Sequence, residues 1–147
     1  MVSGRRGRWR HGVVQDGRII QEAKFSTSSQ APKDQIIAEL IQGLEAFVDA
    51  EVVGIGINVP GLVDETEGII YDLQNIPSWQ EVHLKAALEG VFKVPVFLSN
   101  DGNSFVLGEK VYGQGKAYKN LLGITRFFDH RRLRYQSQVC TVDGGGN

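Results

Sequence analysis

The stretch Ser99-Asn100-Asp101-Gly102-Asn103 follows a compact apolar run, Pro95–Ser99, and leads into a helical pattern, Asn103–Tyr112. In parallel α/β sheets, ligands bind at the carboxyl ends of strands, beside the helix that follows. An Asp at that place can take a proton from a substrate hydroxyl, and a neighbouring Asn can both donate and accept hydrogen bonds. A plainer reading also fits: Asp101 caps the helix that starts near Asn103.

A second candidate, Gly54-Ile-Gly-Ile-Asn-Val-Pro-Gly61, closes another short apolar run. Glycines there let backbone approach a ligand. The spacing is not that of a dinucleotide fingerprint, and Pro60 blocks the helix such a motif needs. A tight turn out of a crowded strand explains the same residues. The third candidate, Asn75-Ile-Pro-Ser-Trp79, places a Trp among polar loop residues, either as the apolar wall of a sugar site or as loop packing. His11, His83 and His130 lack metal-ligand spacing, so no metal is assigned. Cys140 has no evident activating partner, and no Ser-His-Asp or Cys-His arrangement stands out.

The elements that must hold these residues are readable from periodicity. Residues 12–15 and 18–25 form two extended segments joined by Asp16-Gly17, a hairpin signal. Pro32 opens a helix to about Val48, with Ile36, Ile37, Leu40, Ile41, Leu44, Phe47 and Val48 on one face. Val52–Asn58 reads as a strand buried on both faces. Leu62-Val63 and Ile69–Tyr71 bracket a polar loop, Asp64–Gly68. Glu81–Phe92 reads as a helix, and Leu121–Thr125 as a last strand. This alternation predicts an α/β fold with a largely parallel core sheet. After Thr125 the periodicity fails, and Gly144–Gly146 reads as a flexible end.

The 147 residues suit one domain or one lobe, and 41% apolar residues suffice for a core. No apolar run reaches the roughly 20 residues that span a bilayer, and no secretory signal is evident. A single Cys fits a reducing, cytoplasmic setting. The net charge of −1 gives no sign of nucleic acid or membrane binding. Its distribution is uneven. Residues 12–125 hold one Arg and seven Lys against fifteen Asp and Glu, a net of −7. The two ends hold eight Arg (Arg5, Arg6, Arg8, Arg10, Arg126, Arg131, Arg132, Arg134) against Asp129 and Asp143, a net of +6. Such arms bind phosphates or nucleic acid in some proteins. The reading preferred here is that both ends are foreign to the fold.

Taken together, the motifs resemble the ROK family of sugar kinases and sugar-sensing repressors. The resemblance rests on Gly54-Ile-Gly-Ile-Asn-Val-Pro-Gly-Leu-Val-Asp64, Gly68-Ile-Ile, Asn75-Ile-Pro-Ser-Trp79, Pro95-Val-Phe-Leu-Ser-Asn-Asp101 and Gly108-Glu-Lys-Val-Tyr-Gly113. It spans residues 12–125. It implies the N-terminal lobe of a ribonuclease-H-like, actin-like ATPase fold, a mixed sheet with helices. It also implies that Asp101 is the general base on the sugar hydroxyl, that Asn100 binds sugar hydroxyls, and that Gly61 and Asn75 line the same pocket.

The resemblance further implies ATP and Mg as cofactors of an intact relative, which would phosphorylate a hexose-type sugar. Here the departures count. The family's first phosphate loop, Asp-x-Gly-Gly-Thr, is replaced by Met-Val-Ser-Gly-Arg-Arg-Gly-Arg-Trp, and Leu121–Thr125 runs into Arg126-Phe-Phe-Asp-His-Arg-Arg instead of a second Gly-rich loop. The family's zinc-binding Cys/His segment and its Glu-x-Gly-His motif have no counterpart. The organisation expected is a divergent Arg-rich segment at 1–11, a sugar-kinase N-terminal lobe at 12–120, and the first strand of a C-terminal lobe with a divergent tail at 121–147. The function expected is a sugar-binding half of an ATP-dependent kinase, catalytically incomplete, cytoplasmic, with a small-molecule sugar as ligand and homo-oligomerisation possible through an exposed Leu121–Thr125 edge. The alternatives are a remnant of a sugar-sensing regulator, for whose DNA-binding helices the eleven residues before Gly12 leave no room, and a frameshifted fragment without function. Burying four unpaired Arg in a core sheet would cost several kcal/mol each, so the first ten residues are expected to lie outside the core or to pair poorly.

Overall fold

The computed structural model describes residues 8–73, 75–129 and 134–142. Arg5, Arg6, Arg131, Arg132 and Gly144–Gly146 lie outside these. The chain divides into two compact units, one ending at Asn100 and one beginning at Asp101.

The first unit opens with a hairpin. Strand β1 (Arg8–Gln15) pairs antiparallel with β2 (Arg18–Ser26), with a register shift between Val13 and Val14. Asp16 and Gly17 both have positive φ, 50° and 73°. That is the type I′ turn whose twist suits a two-residue hairpin. The expectation that the first ten residues stay out of the core is wrong at its end. Trp9 is 4% exposed and stacks near Trp79, ring centroids 5.8 Å apart. Strand alternation removes the charge problem. Trp9 and His11 face inward while Arg10 faces out, 3.4 Å from Glu22 on the paired strand.

Helix α1 (Lys33–Glu45) follows Pro32 and buries Ile36, Leu40, Gly43 and Leu44, the stripe its 3.6-residue period specifies. His11 fits against Gly43, where a Cβ would lie 2.4 Å from His11 Cε1, and its ring packs on Phe25 and Phe47. Strand β3 (Ile55–Val59) runs parallel to a later strand, β7 (Val96–Asn100), pairing Asn58 with Ser99 and Val59 with Asn100. The first of the two was expected to be buried on both faces. Only one is: Ile55, Ile57, Val59, Val96 and Leu98 are buried, while Gly56 and Phe97 are exposed. Between them lie an antiparallel sheet of β4 (Gly61–Asp64), β5 (Ile69–Leu73) and β6 (Gln80–Val82), then helix α2 (Leu84–Phe92). Among the described residues β3–β7 is the one parallel pair, so the core is less parallel than the sequence suggests. Sixteen buried residues from Trp9 to Leu98 form a single core cluster.

The second unit holds helix α3 (Asp101–Val111), a short 3-10 turn (Gln114–Ala117) and a hairpin of β8 (Leu121–Asp129) and β9 (Arg134–Val142). The strand expected to end at Thr125 continues to Asp129, and its partner β9 has no periodic signal in the sequence. Gly123 lies against Val106, and Cys140 is buried. A cavity of about 230 Å³ opens beside Phe105, Val106, Tyr118, Leu121 and Leu122. Among the described residues no helix is long and apolar enough to cross a membrane.

Candidate functional site

The carboxyl ends of β3 and β7 lie side by side, and the chain turns sharply at each. After β3, Pro60 and Gly61 redirect it into β4. Gly61 sits so close to β5 that a Cβ would meet the Asp72 carbonyl oxygen at 2.3 Å. Only Gly fits there. After β7 the chain passes through Asn100 into α3. Asn100 Nδ2 donates to the Gly61 carbonyl at 2.9 Å, joining the two strand ends across 39 residues. Two of the four residues expected in the site are thus in direct contact.

Asn75 lies in the turn after β5 and is half-buried. Its neighbour Ser78 donates to the Ala31 carbonyl at 2.9 Å, tying the loop to the start of α1. Trp79 is fully buried in the core cluster and packs the loop, so it offers no wall to a ligand. Asp101 begins α3 and belongs to the second unit. It follows Asn100 directly in the chain, is half-buried, and its Oδ1 accepts from the Gly102 amide at 2.9 Å. The helix starts two residues earlier than the sequence pattern suggests, and an acidic residue in its first turn complements the helix dipole.

Sequence reasoning missed Glu65, and it quoted Ser99 in the first candidate without giving it a role. Ser99 Oγ donates to Glu65 Oε1 at 2.7 Å, across 34 residues. Glu65 reads in the sequence as one acid among several in a polar loop, and nothing local shows that the loop reaches β7.

Whether the chain fits a nucleotide is tested by β8. Where a Gly-rich phosphate loop would be needed, Arg126, Phe127 and Phe128 continue the strand in register with Ser137, Gln136 and Tyr135. In a strand successive amides point to opposite edges, so they do not converge into a nest for phosphate. The described backbone of β8 does not fit the phosphates of ATP-Mg. No group of three or more His, Cys, Asp or Glu among the described residues could hold a metal.

The carboxyl ends of two adjacent parallel strands, joined here by the Asn100–Gly61 bond, are where α/β proteins place small-molecule sites. The chain belongs to the ROK family, whose pattern matches residues 9–125. A glucokinase of Thermotoga maritima is 32% identical over 114 residues, 77% of this chain and 36% of that protein. A xylose repressor of Bacillus spizizenii is 38% identical over 118 residues, 76% of this chain and 30% of that protein. The crystal structure of a ROK family glucokinase from Streptomyces griseus, in complex with glucose and AMPPNP, is similar with a TM-score of 0.68 and 26% identity, over 80% of this chain and 37% of that one. The fold is therefore the α/β, actin-like lobe of ROK proteins. The chain spans about a third of the length of the kinase and repressor relatives.

Proposed function

We propose that this chain is the sugar-binding part of a ROK-type protein, an ATP-dependent hexose-type kinase in its intact form, and that it does not transfer phosphate by itself. The observation that carries the reading is the Asn100–Gly61 clamp at the ends of β3 and β7. Asn100 and Asp101 present an amide and a carboxylate in succession, a pair suited to vicinal hydroxyls. The Asp101 carboxylate accepts a hydrogen bond from one hydroxyl and polarises it, as a general base must. On this reading Gly61 and Asn75, both in the first unit, contribute backbone and amide groups to sugar binding. A single Cys supports a cytoplasmic setting.

The 38% identity to a xylose repressor favours a second reading, in which the same cleft senses a sugar without chemistry. Both readings require sugar binding. Calorimetric titration of glucose, xylose, N-acetylglucosamine and N-acetylmannosamine into wild type and Asp101→Ala tests it. Removing one hydroxyl partner costs about 1–3 kcal/mol, so binding in the variant should weaken at least several-fold. Equal affinity in the two proteins would take Asp101 out of the site. ATP-dependent turnover that disappears in Asp101→Asn would overturn the claim that the chain alone is inactive.

A further inference from the structure

We infer that Glu65 and Ser99 form a positioning pair that sets the Asn100 side chain. The inference rests on the sugar reading for its ligand, but not for its geometry.

Glu65 is offered from a turn with little freedom. Asp64 Oδ1 accepts from the amides of Thr66 and Glu67 at 2.9 and 3.0 Å, and the Gly68 amide donates to the Asp64 carbonyl at 2.8 Å. Gly68 closes the turn with a φ of 68°, a conformation that favours Gly. It packs against the Lys85 side chain so tightly that a Cβ would lie 2.1 Å from Lys85 Cβ. The Lys85 amide donates to the Gly68 carbonyl at 3.2 Å, and Lys85 Nζ to the Thr66 carbonyl at 3.3 Å. The turn is thereby anchored to the first turn of α2.

From that anchored turn the Glu65 carboxylate reaches the end of β7. A hydroxyl donating to a carboxylate at 2.7 Å is a charge-assisted bond, stronger than its neutral counterpart. Ser99 Oγ has another acceptor within reach, the Asn100 carbonyl oxygen at 3.3 Å. Without Glu65 the hydroxyl turns to that carbonyl and pulls on the residue whose side chain holds Gly61. The brace runs from α2 through Glu65 and Ser99 to Asn100 and Gly61, all within the first unit. Glu65 is exposed, so the bond adds little to global stability, and its effect is confined to the orientation of Asn100.

The test reads Asn100 directly in the full chain. The Nδ2 amide protons are followed by NMR in wild type, Glu65→Ala, Ser99→Ala and Ser99→Thr, with thermal midpoints and glucose and xylose titrations alongside. Both Ala variants should move the Asn100 amide pair and speed its exchange at an unchanged midpoint, and the Thr variant, which keeps the hydroxyl, should restore it. Sugar affinity should fall about tenfold in the Ala variants. An Asn100 amide pair that is the same in both Ala variants overturns the inference. If wild type binds neither sugar, the sugar reading fails while the amide signals still decide the pair. Should Ser99→Ala not fold, the exposed Glu65→Ala decides alone.

Discussion

The two units differ in how they treat apolar surface. The first gathers all sixteen residues of the core cluster and caps its strand ends with side-chain hydrogen bonds. In the second, Val106 and Cys140 are the large side chains described as buried, while Phe105, Leu107, Tyr112, Tyr118, Leu122, Ile124 and Val139 are each more than half exposed. Both have regular secondary structure and a helix, so hydrogen-bonded backbone alone does not separate them. The difference lies in enclosure: a helix and a hairpin shield one face of each element and leave the other wet. The side-chain bond that joins two candidate site residues, Asn100 to Gly61, lies within the enclosed unit.

The largest effect expected from this contrast comes from paired truncations. Leu40→Ala, in a side chain 2% exposed, should cost about 2–5 kcal/mol. Leu122→Ala, at 60% exposure, should change stability by no more than about 0.5 kcal/mol. Urea unfolding monitored by circular dichroism measures both, and equal losses would dissolve the contrast. A smaller effect is expected at the site itself. Gly61→Ala forces a Cβ onto the Asp72 carbonyl, and overpacking of that kind costs about 1–3 kcal/mol. It should also abolish the Asn100–Gly61 bond, seen as a shift of the Asn100 amide signals. An Ala variant with wild-type stability and wild-type Asn100 signals would mean that the turn is looser than its packing indicates.

The smallest effect is one of pH. Burial, opposed by the Gly43 backbone, holds the His11 pKa below its ordinary 6.5. The unfolded chain therefore takes up a proton that the folded chain refuses. Stability is complete above about pH 6.5 and declines as pH falls from there toward the lower folded-state value. Unfolding midpoints in urea at pH 7.5 and 5.5, compared between wild type and His11→Leu, should show this part of the decline in wild type only. An identical acid loss in the variant would place its origin elsewhere, in the carboxylates.

Much of the first unit was legible because local chemistry and packing agree there. Asp16-Gly17 specified its turn, and the stripe from Ile36 to Leu44 specified α1. Asn100 and Gly61 were picked out separately and meet in space. What could not be read has common physical causes. Trp9 and Arg10 looked like one charged stretch, and only the alternation of a strand divides them into a buried and an exposed side chain. β3 was expected to be covered on both faces because an apolar run does not say how many faces are covered. Glu65 and Ser99 are joined by tertiary geometry alone. β9 is held by register with β8, and its polar sequence carries no period.

Gly43 occupies an interior position of a helix, where its backbone freedom works against folding by about 1 kcal/mol relative to Ala. Ala is nonetheless excluded while an imidazole fills the space where its methyl would sit. Positions 11 and 43 thus share a single allotment of volume, though 32 residues of sequence separate them. A mutational path that improves the helix must first shrink the side chain on β1, and one that enlarges the strand residue is confined to Gly opposite. Double substitutions here should therefore be strongly non-additive, and homologous chains free to drift should trade bulk between the two positions as a unit.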